Sequence, residues 1–367
     1  MSSTVAVVSS ELRRRNLTRQ GYDNAFRTLR EVRVLVAPDC FGGTLTAGEA
    51  AEAIALGWRS TAPGDELLLR PLADGGPGFV DVLHAALGGD LRSTEVTGPL
   101  GTPVTARWLL HDGTAYVESA EACGLHLVPR DQRAEWCERA TTRGVGELVL
   151  AASSAGAHTI VVGLGGSGTT DGGEGLLSVV TDVTVRLIAA SDVENPLLGP
   201  HGAAATFGPQ KGASPEAVAR LEARLAAMDR LRDVRDLPGA GAAGGLGAAL
   251  LALGATVQSG AGLVRGLTGL DDALAVADLA ITGEGSFDWQ SLRGKLVTAV
   301  ASGASTRGIP CLVLAGQVSV GRREAGSAGI TDSYAVADHA GSVEAAMADP
   351  AGTLGALAAQ VAGQWSR

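Results

Sequence analysis

Residues 32–39 read VRVLVAPD, an apolar run that stops at Pro-Asp. A strand this apolar on both faces belongs in a parallel sheet covered by helices on either side. The segment after it, TAGEAAEAIALGWRS, has helical spacing and opens on Thr46, a residue type that caps helices. ELLLRPLAD then supplies a second strand and delivers Asp74 at its C-terminal end. Strand, helix and strand make one βαβ unit.

The same rhythm returns late in the chain. DDALAVADLAITGEG reads as helix then strand, KLVTAVASGAS as helix and PCLVLAGQV as strand; DSYAVAD is a further strand and PAGTLGALAAQVAGQWSR a closing helix. Between these ends the texture changes. STEVTGPLGTPVTARWLLHDGTAYVESA alternates in short stretches broken by Gly-Pro and Asp-Gly, the pattern of antiparallel hairpins. TTRGVGELVLAASSAGA predicts a helix, HTIVVGLGG a strand, and SPEAVARLEARLAAMDRL an amphipathic helix capped by Ser214, with Val218, Leu221, Leu225 and Met228 facing a core. The expected fold class is therefore α/β: a discontinuous Rossmann-like doubly wound domain with an inserted second α/β domain. The expected partition is a loosely attached extension (1–31), an outer domain (32–75 and 276–367) and an inserted domain (76–275), with the active site in the cleft between them.

At 367 residues the chain is long enough for two domains with cores that need no staples. It is 46% hydrophobic, yet no stretch matches a membrane span, and the Arg-rich opening residues lack the apolar run of a secretion signal. A net charge of −10 argues against nucleic acid as a partner. The four cysteines are scattered without a C-x-x-C pair, which speaks against zinc or a disulfide framework and for the cytoplasm. The six histidines form no ligand-like cluster. Only two of the 29 basic residues are lysine, Lys211 and Lys295, each beside a glycine. Sparing use of a compact ammonium group points to a tight phosphate-lined space, against chance placement on the surface.

Two similar stretches, ADGGPGFVDVL and TDGGEGLLSVV, place Asp74 and Asp171 each before a pair of glycines. Further glycine clusters occur at 163–175, 239–250 and 282–286. Such loops let backbone N–H groups converge on an anion, or else simply make tight turns. Two of them match G-x-G-x-x-G, but one is interrupted by a second turn and the other has no preceding strand, so a dinucleotide oxidoreductase is disfavoured. Walker A and protein-kinase signatures are absent. Asp39, Asp74, Asp171, Asp192 and Asp288 each fall at or just after a strand end or glycine turn. Acids beside phosphate-binding glycines suit a Mg²⁺–nucleotide site and a general base, so the combination favours phosphoryl transfer to a small molecule over turn formation alone.

The blocks VAPDCFGGTLTAGEAAEAI, PLADGGPGFVDVL, VTGPLGTPV, GLGGSGTTDGGEG, ASDVENPLLGPHGAAATFGPQKGA, GAGAAGGLGAALLALG and ITGEGSFDWQSLRGK, in this order, resemble the bacterial type I glycerate kinases from residue 32 to about 345. The resemblance implies phosphorylation of D-glycerate by ATP with Mg²⁺ and a Rossmann-like domain interrupted by a second α/β domain. The chain departs from the family pattern at Cys40 (usually Ser), Gly42 (usually Lys), Thr170 (usually Asn) and Ser286 (usually Arg), and is shorter after the second DGG. Loss of two cations near a transferring phosphoryl group costs several kcal/mol of transition-state stabilisation unless replaced.

On this resemblance, Asp74, Asp171, Asp192, Lys211 and Lys295 are the expected catalytic residues, with Asp74 and Asp171 on the metal. Gly75, Gly76, Gly163, Gly165, Gly166, Ser167, Thr282, Gly283, Glu284 and Gly285 would cradle phosphates, and Asp39, Asp288 and Gln290 would bind substrate. ATP and Mg²⁺ are the implied cofactors, glycerate the small-molecule partner, a homodimer the implied assembly, and phosphorylation at the 2-hydroxyl is favoured over the 3-hydroxyl. The alternative is a degenerate relative that binds ligand or a partner without turnover. Lys295→Ala is expected to lower turnover at least about ten-fold in a coupled kinase assay; near-normal kinetics remove Lys295 from the site.

Overall fold

The computed structural model describes residues 32–292 and 296–366. The expected extension, 1–31, and Lys295 therefore lie outside the described residues. The chain enters on β1 (Arg33–Val36), crosses over through the helix Ala47–Thr61 and returns on β2 (Glu66–Leu69). Thr46 caps that helix as its residue type suggested. Its hydroxyl accepts from Glu49 N while the Glu49 carboxylate accepts from Thr46 N, a reciprocal pair that fixes the helix start. The middle of the chain forms β3 (Asp90–Thr97), β4 (Pro103–His111), β5 (Thr114–Glu118), β6 (Thr159–Gly163), β7 (Arg186–Ala190) and β8 (Thr256–Gln258). The chain then returns through β9 (Leu279–Thr282), β10 (Ser286–Phe287), β11 (Cys311–Ala315), β12 (Gln317–Val318) and β13 (Asp332–Ala335).

Two large sheets result. One is wholly parallel, in the order β13-β11-β9-β1-β2, and is drawn from both ends of the chain. The other runs β3-β4-β5-β6-β7-β8, with antiparallel hairpins at β3–β4 and β4–β5 and parallel pairing from β5 onward. The β4–β5 hairpin turns on Asp112-Gly113, both at positive φ, the backbone that the right-handed twist of a two-residue turn demands. The antiparallel half was legible from those turn dipeptides, and the parallel half from the helix Arg143–Ser154 feeding β6. A short parallel pair, β10–β12, lies beside the first sheet's C-terminal edge.

The period-2 alternation of the strands assigns their side chains to separate layers. Val34 and Val36 join Ile54, Trp58, Leu312, Leu314 and Leu354 on one face of the first sheet. Leu35, Val313 and Ala315 face the other way, into a layer with Phe79, Val264 and Val300. That layer also receives Leu109, Tyr116, Val161 and Ile188 from the second sheet. The helices Phe79–Leu87 and Gly260–Leu267 thus sit in apolar packing common to both sheets. The second sheet's far face, with Trp108, Val117, Val162 and Ala189, packs on Leu148, Leu176, Leu221 and Leu246. Among the described residues no helix is long and apolar enough to cross a membrane.

The closing helix Pro350–Trp365 starts on a proline with Asp349 as its cap and lies against the helix Ala47–Thr61. Their closest approach is glycine on glycine: a Cβ on Gly57 would collide with the Gly355 carbonyl. Gly57→Ala adds helix propensity of about 1 kcal/mol yet forces the helices apart, for an expected net loss of ~2 kcal/mol in urea unfolding. A neutral or stabilising result would show that this crossing tolerates a side chain.

Candidate active site

In the first sheet the chain leaves β1 toward β2 on one side and resumes at β9 on the other. Loops leaving the C-terminal ends of β1 and β9 therefore diverge and open a crevice, the usual ligand position in such sheets. Backbone hydrogen bonds hold its walls. Ala37 N donates to Ile281 O and Asp39 N to Gly283 O, both at 2.8 Å, and the buried Thr282 hydroxyl donates to Ala37 O at 2.8 Å. On the other side Gly316 N donates to Glu284 O (3.0 Å) and Gln317 N to Gly285 O (3.1 Å). The segment Thr282–Gly285 is thus a stitched turn between neighbouring strands.

Three acids gather where these strands end. Asp39 follows β1, Asp74 follows β2 and Glu284 follows β9. Burial, then the adjacent Asp74 carboxylate, and to a smaller extent Glu284, push the Asp39 carboxyl up to about 7, against the opposing hydrogen bond from Cys40 N at 2.6 Å. Asp74 folds its own carboxylate back to accept from Gly76 N at 3.1 Å. Among the described residues no three His, Cys, Asp or Glu side chains form a metal cage. A cation here would rest on one or two carboxylates and take its remaining oxygens from phosphate and water, the ordinary habit of Mg²⁺. Like charges gathered around Asp39 fit a site that receives positive charge.

The loop carrying Asp74 is locked to the second sheet. A Cβ on Gly75 would lie 2.7 Å from the Ala190 carbonyl oxygen, one on Gly163 would lie 2.6 Å from the Gly75 oxygen, and one on Gly165 would strike Gly76. Backbone lies on backbone here, so glycine is required for approach. Asp192 also arrives close by. It accepts from Ser259 Oγ (2.5 Å) and Ala261 N (2.9 Å), which caps the helix Gly260–Leu267, and Gly260 itself abuts the Asp74 carbonyl. Gly166 remains exposed at the tip of the turn, beside the Pro77 ring.

The second acid–glycine loop does a different job. Asp171 is 2% exposed, and its oxygens already accept from Thr142 N, Thr142 Oγ1, Gly173 N and Gly175 N. With these four hydrogen bonds made inside the fold, Asp171 organises a turn, a setting different from that of Asp74, its expected partner on the metal. Lys211 is likewise buried, and its ammonium donates to Ser167 Oγ (2.9 Å) and Thr169 O (2.6 Å). It braces the 163–169 loop from inside the fold, beside the glycines with which a phosphate contact was expected. Burial draws this ammonium down to about 8, opposed by neighbouring Cys123 and Asp171. Ser167 is buried as Lys211's acceptor.

Asp288 accepts from Gln290 N (2.7 Å) and Ser291 N (3.3 Å), closing the turn after β10, and the Gln290 side chain is exposed there.

Residue-type reasoning passed over two features. Glu118, at the end of β5, is 4% exposed and accepts from Gly78 N (3.0 Å) and Val80 N (3.4 Å), so it holds the start of the helix Phe79–Leu87. Burial, and then Glu121, push it up to about 8. A carboxylate closing an apolar strand, as in AYVES, was the available signal. The second is a cavity of about 460 Å³ adjoining the crevice, whose lining includes Cys40, Gly42 and Ser286. Three of the four positions that depart from the family pattern thus meet in one place.

A family model described as the glycerate kinase family matches residues 34–181 and 181–366. An uncharacterized protein from Mycobacterium bovis is 51% identical over 90% of this chain and 91% of its own. A glycerate kinase from Bacillus subtilis is 40% identical, and a glycerate 2-kinase from Escherichia coli 38% identical, each over 78% of this chain and 86% of the relative. A solved structure from Salmonella typhimurium LT2, provisionally named glycerate kinase 2, superposes with a TM-score of 0.73 at 35% identity, covering 91% of this chain and 98% of that one.

The buried Lys211 sets a pH dependence. The folded chain releases this proton near 8 and the unfolded chain near 10.5, so between these values the unfolded state binds more protons and stability rises with pH. From pH 8 to 10 the parent protein is expected to gain on the order of 2 kcal/mol relative to Lys211→Met in urea unfolding. Parallel pH profiles would refute the buried-cation assignment.

Proposed function

The chain belongs to the glycerate kinase family, and on that premise we propose that it transfers the γ-phosphoryl group of ATP to the 2-hydroxyl of D-glycerate in the crevice between β1 and β9. The observation that carries this reading is the convergence of Asp39, Asp74 and Glu284 at the ends of three neighbouring parallel strands. Phosphoryl transfer asks a protein mainly for positioning and charge stabilisation, with a carboxylate to take the hydroxyl proton. Asp39, the carboxyl that burial and Asp74 push up to about 7, is assigned that proton, and Asp74 with Glu284 would hold the metal. Bound Mg²⁺ would supply neutralisation of phosphate charge and a template for the donor's oxygens. Asp192 acts on Asp74 from behind, through the helix cap and Gly260. The 2-hydroxyl is preferred because the Escherichia coli relative is named a glycerate 2-kinase. The four unpaired cysteines suit a reducing cytoplasm.

One observation favours a second reading. Gly42 and Ser286 stand where the family pattern has Lys and Arg, and the described lining of the adjoining cavity contains neither Lys nor Arg. A chain that kept the fold and lost those cations would bind without turnover. Purified protein with D-glycerate and Mg-ATP separates the two: ADP release with a 2-phosphoglycerate signal in phosphorus NMR is expected. Asp74→Asn and Asp39→Asn should each lower kcat at least about 100-fold with the unfolding midpoint retained. Calorimetric binding of both substrates without ADP release would establish the non-catalytic reading instead.

A further inference from the structure

The loop that carries Asp74 needs something to draw it into place. It runs Asp74-Gly75-Gly76-Pro77-Gly78 into the helix Phe79–Leu87, and Gly75 and Gly78 sit at φ of 94° and 93°, backbone that glycine alone enters freely. Its contacts with Gly163, Gly165 and the Ala190 carbonyl set how near the loop can come to the second sheet. Such contacts limit approach without directing it. Among the described residues, the second sheet sends one hydrogen-bonding side chain to this loop, Glu118 at the end of β5. Its Oε2 accepts from Gly78 N at 3.0 Å and from Val80 N at 3.4 Å. The sheet register pairs Glu118 with Gly163 on β6, so the tie and the steric stop stand on neighbouring strands.

From Gly78 the constraint reaches Asp74 in two steps. Phe79 N donates to Gly76 O at 3.1 Å, closing the turn over Pro77, and Gly76 N donates to Asp74 Oδ1 at 3.1 Å. A shift at Gly78 therefore carries the Asp74 carboxylate with it. Keeping a carboxyl at position 118 is costly. It is buried, and Glu121 and Asp81 lie close enough to add to its rise to about 8. Arg107 bonds Asp81 at 2.7 Å and Glu121 at 2.9 Å, and so serves those two acids and not Glu118. An apolar residue would close the strand end at less cost, but would leave Gly78 N and Val80 N without this acceptor.

We propose that Glu118 is the positioning residue that holds the Asp74 carboxylate at the crevice, acting through the Gly78–Gly76 turn. The assignment rests on the kinase reading and deepens it: Asp74 meets metal and phosphate, while Glu118, inside the fold, touches neither. Reach matters here and charge does not. Both bonds converge on one oxygen, which the amide oxygen of glutamine can replace. Aspartate keeps the charge and falls one methylene short.

The test uses the full chain in steady-state kinetics with D-glycerate and Mg-ATP, beside hydrogen-exchange mass spectrometry of the free protein. Glu118→Ala and Glu118→Asp are expected to lower kcat about ten-fold or more and keep both KM values within about two-fold. Glu118→Gln should retain at least about half the parental kcat. In an Asp74→Asn background, Glu118→Ala should cost less than about two-fold more, because the group it positions is already gone. Exchange across residues 75–80 should rise in Glu118→Ala and stay parental in Glu118→Gln. Should Glu118→Ala unfold, with exchange rising along the whole chain, Glu118→Asp and Glu118→Gln decide by the same readings. A Gln variant as slow as Glu118→Asp, an Asp variant with parental kcat, or a fully additive loss beside Asp74→Asn overturns the assignment while the kinase reading stands. If the parent protein itself does not turn over, the kinase reading falls and exchange decides alone: protection of residues 75–80 that is unchanged in Glu118→Ala and Glu118→Asp overturns the tie.

Discussion

The contact on which the arrangement depends is one between bare backbones. Gly75 and Gly76, just past the first sheet, interlock with Gly163 and Gly165, at and just beyond the end of β6, with no side chain between them. A Cβ on Gly75, Gly163 or Gly165 would push the two sheets apart and move Asp74 with them. The shared apolar layer of Phe79, Tyr116, Ile188 and Val264 holds the sheets together over a broad area. The glycines fix where, within that area, the Asp74 loop sits. Fine positioning and bulk cohesion are thus carried by different residues.

The acid cluster exacts a cost that the fold sustains. Asp39 lies among like charges and partly out of water, so its ionised form is disfavoured relative to a carboxylate in solution. Such a group persists because hydrogen bonds from Thr282, Gly316 and Gln317 over-determine the surrounding turns. The free energy released when a cation relieves this repulsion is available for binding. Lys211 shows the inverse arrangement, a cation held within the fold to secure a loop, where desolvation weakens its charge.

Much of the fold was legible because its determinants are local. The apolar runs at β1 and β11, the Thr46 and Ser214 caps and the Asp112-Gly113 turn each state their structure within a few residues. The site was legible only in part. Asp39, Asp74 and Glu284 stand at strand ends, and strand ends on a parallel sheet converge. The two acid–glycine loops are alike in sequence but not in surroundings, because which surface a glycine touches is decided by chain far away. Gly75 meets Gly163, whereas Gly173 meets Ala249 inside the second core. The rarity of lysine correctly marked Lys211 as unusual, yet sequence does not tell from which side a side chain enters a loop. The cavity escaped because Val343, Ala346 and Met347 carry no reactive group and read as ordinary helix.

The first sheet also orders events during synthesis. Arg33 N, at the start of β1, bonds the Asp278 side chain 245 positions later, and β1 pairs with β9 through Val34 and Leu279. As the polypeptide leaves the ribosome, β1 and β2 must wait without β9 while the entire second sheet emerges. The contiguous middle segment can condense first and offer its Phe79 and Val264 face as a template. Chaperone demand should therefore concentrate on the early amino-terminal strands, whose hydrophobic faces stay uncovered longest.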